Sequence, residues 1–439
     1  MKRAIIGLAV AALVVGSMRN AAAEAVALTG GTVHTVSGAT LDGATIVIEN
    51  GRITAVGAAV AIPSGARIVS VAGKHVYPGF LDANSVLGLT EISAVLGTID
   101  HTEIGDINPN VRSEVEINPE SELILVTRAN GVVASLVIPR GGAINGTSAI
   151  VHWDGWTYED MTVAAPVGLH VQWPNMNPVR VWTETRTDEE QNKARDLRLA
   201  AIQRAFDDAR AYLKALDAEG RAGIPRHDRD VKWDAMVKAL RGEIPVLFHC
   251  DALSQINAVL AFADREKLPR VILVGGADAA LVAAELRRRD IAVICGRTSA
   301  LPRRSNEPYD AGMSLPARLR DAGVRFCISN GGSEDGSAAN GRNLPYEAAM
   351  GAAYGLPRDE ALKSITLYPA QILGVADRMG SIEPGRFGDL VITNGDPLEI
   401  TTAVEQVWIR GHEVSLENRQ TRLFKKYDAR PRGPQARPR

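Results

Sequence analysis

The hydrophobic pattern of this chain divides it into a β-type beginning, a long alternating middle and a β-type end. From Val26 to Val71 short apolar runs are cut by turn residues: LTGGTVHTV, then GATIVIENGRITAVG, then ARIVSV. Glu49-Asn50-Gly51-Arg52 predicts the clearest hairpin, because Asn-Gly supplies the positive φ angles of a two-residue turn between IVI and ITAV. So small a sheet cannot bury its own apolar face and needs strands from elsewhere. They appear at the far end, in GSIEPGRFGDLVITNGDPL (380–398) and AVEQVWIRGHEV (403–414), with a turn at Glu383-Pro384-Gly385 and a strand over Asp389-Leu390-Val391-Ile392. The segments 24–75 and 380–416 are therefore expected to form one composite β domain.

The junction is HVYPGFLDANSVLGL, His75 to Leu89, where Pro78 and Gly79 break the chain before a buried strand at Phe80 and Leu81. Beyond it strand-like and helix-like segments alternate over 76–379, the pattern of parallel strands with crossover helices. Asn118-Pro119-Glu120 reads as a helix start closed by Gly131, before the strand VVASLVIP. TSAIVHW and VGLHVQW follow as strands. Thr187 and Glu190 form a capping box for a long helix, whose Ile202, Phe206, Ala209, Leu213 and Leu216 recur at helical spacing. Strands return at PVLFHC, RVILVG, IAVICG and VRFCIS, and a last helix runs through ALKSITLYPAQILGV. No well-marked strand stands between VQW and PVLF, which predicts an irregular barrel with its fourth strand unplaced.

Length and composition fit this plan. A chain of 439 residues holds a (β/α)8 barrel with an appendage, and its net charge of −2 gives no reason to expect nucleic acid as a partner. Lys2 and Arg3, an apolar run from Ala4 to Val15 and small residues at Ala21 and Ala23 have the order of a secretory signal. That run is short for a membrane span of about 20 residues. Residues 1–23 are read as a signal peptide, the mature protein as periplasmic or secreted and free of the membrane, and 417–439 as a disordered tail. Cys250, Cys295 and Cys327 end apolar runs without CxxC spacing, so buried free thiols are expected rather than disulfides.

The PGFLDA strand, the PAQILGV helix, the GSIEPGRFGDLVI ending and the composite β ends occur in the order found in the amidohydrolase superfamily, and the chain resembles its imidazolonepropionase-like branch. The resemblance implies an α/β fold, a TIM-like (β/α)8 barrel with a small composite β-sandwich domain. It also implies hydrolysis of an amide or cyclic amide C–N bond by metal-activated water. Matched by position, however, the two ligands after the first strand become Asn84 and Val86, the sixth-strand ligand Gly275 and the eighth-strand ligand Asn330. His249, after the fifth strand, alone keeps a ligand type, and the fourth-strand Lys has no recognisable counterpart. A hydrolytic site takes three or more imidazole, thiolate or carboxylate donors. The usual centre is thus expected to be missing and no cofactor is expected, with one divalent ion of unusual ligation as the alternative.

Active sites of such barrels lie at the C-terminal strand ends. There the loop after the first strand offers Asp100, His101 and Glu103, which with His249 are the candidates for acid/base work or cation binding. A salt-bridged, solvated loop is the bland alternative. Asn84, Arg140 and Asn330 are the candidates for substrate binding, backed by the glycine-rich turns at Arg140-Gly141-Gly142, Asn145-Gly146-Thr147-Ser148 and Asn330-Gly331-Gly332-Ser333-Glu334-Asp335. No G-x-S-x-G elbow supplies a nucleophile. Three functions stay open: a hydrolase of a small-molecule C–N bond with a rebuilt site, a non-catalytic small-molecule-binding relative, and a structural partner of an active amidohydrolase. The small molecule is the expected partner, with a homo-oligomer or a homologous barrel as further partners.

Overall fold

The computed structural model describes residues 25–219, 223–331 and 337–430. The signal segment 1–23, Gly332 to Asp335 of the last glycine-rich turn and the final residues 431–439 lie outside them. The first five strands are β1 (Val26–His34), β2 (Thr40–Glu49), β3 (Arg52–Gly57), β4 (Arg67–Ser70) and β5 (His75–Pro78). The barrel follows with β6 (Phe80–Ser85), β7 (Val132–Val137), β8 (Ile144–His152), β9 (Thr162–Gln172), β10 (Val246–Cys250), β11 (Val271–Gly275), β12 (Ala292–Cys295) and β13 (Phe326–Ile328). The chain returns through β14 (Leu390–Thr393), β15 (Val404–Ile409) and β16 (His412–Val414).

Both ends share one sheet, ordered β16-β15-β14-β5-β1-β2-β3 with β4 on β1. The seam is the antiparallel pair β5 and β14, with Val76 opposite Ile392 and Tyr77 opposite Val391. Across it Leu28, Ile46, Ile48 and Val76 from one end bury against Ile382, Leu390, Ile392 and Trp408 from the other. The hairpin forms as expected: Asn50 and Gly51 take φ of 52° and 76°, and Glu49 pairs with Arg52.

The barrel sheet runs in chain order from β6 to β13. It contains no missing strand: the fourth is β9, and the irregularity lies one strand earlier, where β8 is antiparallel to both neighbours. The physical reason is the short turn between β7 and β8, which has no room for the crossover helix that a parallel strand requires. The long stretch after VQW holds two helices, Asp188–Ala218 and Val231–Leu240. The first carries the Thr187/Glu190 capping box and buries Ile202, Phe206 and Ala209. The helix expected to be capped at Asn118 instead spans Glu122–Arg128 with Ser121 as its cap, while the Asn118 side chain accepts from Glu120 N–H one turn earlier. Closure between β6 and β13 goes through Ser364 and Ile365, whose carbonyls accept from Ile328 N–H (3.0 Å) and Leu81 N–H (2.8 Å).

At the floor His152 joins barrel and sheet. Its Nε2 lies 2.8 Å from Asp389 Oδ2 and its Nδ1 accepts from Arg410 Nε (3.0 Å). Part of the expected disordered tail is a helix, Arg419–Asp428, because Asn418 and Thr421 cap each other and Arg422 reaches Glu122 at 2.6 Å. No described helix is long and apolar enough to cross a membrane.

Candidate functional site

Alternate residues of a strand face the same side, so β9 and β10 each send one histidine toward the barrel axis near their C-terminal ends. His170 Nδ1 and His249 Nε2 lie 2.8 Å apart, both rings buried. Burial, then the nearby charge of Arg140, pushes His170 down to about 3. Burial, His170 and Arg140, in that order, hold His249 well below the usual imidazole range. Both rings are therefore neutral, one nitrogen of the contact donating and the other accepting. His170 was not singled out from the sequence; its only signal there is its place in VGLHVQW, the strand before PVLFHC.

The first barrel strand supplies two buried polar groups. Asp82 Oδ1 accepts from the backbone N–H of Asn84 and of Asn330, each at 3.2 Å. Burial pushes its carboxyl up to about 7, opposed by those two N–H groups. Asn84 turns its side chain to the cleft, and its buried Oδ1 has no hydrogen-bond partner among the described residues; the buried His170 Nε2 also has none among them. A buried polar atom left unpaired costs about 1–3 kcal/mol, so such atoms mark places where a ligand or water completes the bonding.

The cleft above has a volume of about 1550 Å³ and is lined by His249, Asn84 and Arg140 of the expected residues. Asn330 is buried at the closing seam, with its neighbour Gly331 in the wall. Asp100, His101 and Glu103 do not line it. Glu103 Oε1 accepts from Ile104 N–H (2.7 Å), His101 Nδ1 meets Thr102 Oγ1 (2.9 Å), and the His101 carbonyl accepts from Arg140 N–H (2.6 Å). From the same loop Asp106 reaches the cleft instead. The loop lies on the turn after β7, bridging Thr102 to Arg140 and Arg112 to Thr147. It thereby consumes the second glycine-rich turn: Thr147 N–H donates to the Val111 carbonyl at 2.8 Å.

These residues do not fit the two-metal centre of the superfamily. Val86 is buried in the hydrophobic core. Gly275 takes φ of +95°, and a Cβ there would stand 2.5 Å from Asp251 Oδ1, so the sixth-strand ligand position is filled by a carboxylate from the preceding loop. Among the described residues no three His, Cys, Asp or Glu side chains stand together in a metal-holding group. The cysteines do not substitute as nucleophiles. All three are free and buried, and burial raises each thiol, Cys295 to about 12 and Cys250, beside Asp251, still further.

A closed eight-stranded barrel set on a sheet of both chain ends, with polar residues gathered at the strand ends, is the architecture of amidohydrolases. Residues 336–415 match the model of the Amidohydrolase family. The amidohydrolase tasK of Hapsidospora irregularis is 27% identical over 403 residues, covering 83% of this chain and 39% of that protein. The chain thus spans about two fifths of the length of that relative. An amidohydrolase from Thermotoga maritima MSB8 superposes with a TM-score of 0.79 at 25% identity, over 89% of this chain and 99% of its own. Molinate hydrolase shares the fold, with a TM-score of 0.53 at 17% identity over 94% and 99% of the two chains. The chain is thus similar to amidohydrolases in fold and in sequence, while its described residues hold no metal-binding cluster.

Proposed function

We propose that this protein is an exported hydrolase of a non-peptide C–N bond, amide or cyclic amide, in a small molecule bound at the barrel mouth, and that it belongs to the imidazolonepropionase-like branch. The observation that carries the reading is the neutral His170–His249 pair, whose His249 lines the cleft together with Asn84, whose Oδ1 has no partner among the described residues. With Nε2 of His249 tied to His170, its Nδ1 is the nitrogen left for water. Asn84 Oδ1 accepts from a substrate N–H, and Arg140 polarises the carbonyl. Water adds to the carbonyl carbon as its proton passes to His249; the C–N bond then breaks and the departing amine takes that proton. The depressed basicity of His249 makes this a slow catalyst.

Amine release from a panel of N-acyl amino acids and lactams, with and without added zinc or manganese, tests the reading against His249→Ala. Release that falls about a hundredfold or more in the variant is expected, the usual scale for a lost general base. Equal release by both proteins would sink it. A second reading, a non-catalytic small-molecule-binding relative, is favoured by the poor basicity of the imidazole pair; ligand-induced stabilisation without any release would select it.

A further inference from the structure

We propose that the cleft selects a substrate carrying an anionic group, a carboxylate or phosphate, held by Arg297, with Arg140 lining the same cleft; this rests on the barrel mouth being the substrate site. Several carboxylates that line the cleft are already engaged. Glu184 is held by Arg186 (2.7 Å), Asp278 and Glu307 by Arg304, and Asp251 Oδ1 accepts from Ala277 N–H (3.3 Å). Arg297 lines the same cleft from the turn after β12, half-buried, and its guanidinium makes no hydrogen bond or ion pair among the described residues. Its stem is held in place by Gly331. That residue takes φ of +67°, and a Cβ on it would come within 3.2 Å of Arg297 Cγ. Arg303 and Arg318 add positive charge farther out.

The two floor imidazoles are neutral, carry no negative charge against it and already feel the Arg140 guanidinium. A cleft with fixed cations and partly desolvating walls gathers anions, and a guanidinium grips a carboxylate or phosphate through two parallel hydrogen bonds. An anion seated there would also counter the field of Arg140 and raise the basicity of His249, linking substrate charge to catalysis.

Isothermal titration of the intact protein with N-acetylglycine, N-acetylglycinamide and inorganic phosphate tests it, in wild type, Arg297→Gln and Arg297→Lys. N-acetylglycine should bind at least about tenfold more tightly than its neutral amide, as a charge-assisted hydrogen bond implies. Arg297→Gln should abolish the preference and Arg297→Lys keep part of it. Tighter phosphate than N-acetylglycine would assign a phosphate group, and the reverse a carboxylate. Equal binding of acid and amide, no binding of any probe, or an unchanged preference in Arg297→Gln would overturn the proposal. Anion preference without turnover would instead count against the hydrolase reading alone.

Discussion

Asp82 is buried where a carboxylate has little reason to be, and its titration gives a direct handle on the site. Its carboxyl is pushed up to about 7 from an ordinary 3.8, so the fold favours the neutral acid. That contribution is whole below about pH 4 and is lost as pH rises through about 7. The buried imidazoles act in the opposite sense: the fold favours neutral His170 and His249, a contribution present above about pH 6.5 and lost as pH falls toward 3. The two trends partly cancel between about pH 4 and 7. Asp82→Asn removes the first while its amide oxygen can still accept from Asn84 and Asn330. The variant should therefore gain on wild type as pH rises from 4.5 to 7.5, by up to about 3 kcal/mol. Urea unfolding at three pH values measures this, and an offset independent of pH would contradict the burial argument. At this scale sequence reading singles out His249, because its position matches a family ligand. It misses His170 and Asp251, because their roles depend on strand register and on space vacated by a glycine.

At the scale of elements, strand existence was legible and strand direction was not. The apolar runs mark β7, β8 and β9 correctly, yet only the length of the connection decides that β8 turns back. The acidic loop illustrates the same limit: Asp100, His101 and Glu103 are adjacent in sequence, but the bridges from Thr102 to Arg140 and from Arg112 to Thr147 decide which side chains reach the cleft. The end of β11 carries the clearest prediction. Restoring the family residue with Gly275→His should destabilise the protein by about 1–3 kcal/mol, because the residue must adopt a positive φ and displace the Asp251 carboxylate. It should not raise bound zinc. Thermal unfolding together with elemental analysis checks both halves; a stable variant with one zinc per chain would show that the site needs only its sixth-strand ligand.

At the scale of the whole molecule, the composite sheet could be anticipated because neither end holds enough strands to bury its apolar residues, and burial is a property that counting can reach. The helix Arg419–Asp428 could not be separated from the basic, proline-rich segment that follows it without its cap geometry. Removing residues 389–430 should expose Leu28, Ile46, Ile48 and Val76 and leave β5 without β14. The shortened chain should accumulate as aggregate or be cut rapidly by protease between residues 26 and 78. A soluble product with that region resistant to trypsin would show that the first five strands close a core unaided.

The seam between β5 and β14 also sets an order in time. Lys74 and its partner Glu405, 331 residues apart, cannot meet until all the chain between them has left the ribosome. For that interval the nascent chain carries a free strand edge and a greasy face that nothing yet covers, both of which invite pairing with other chains. Folding of the β1–β5 strands must wait for β14 and β15, so the growing chain depends on whatever holds it apart from its neighbours until that seam forms.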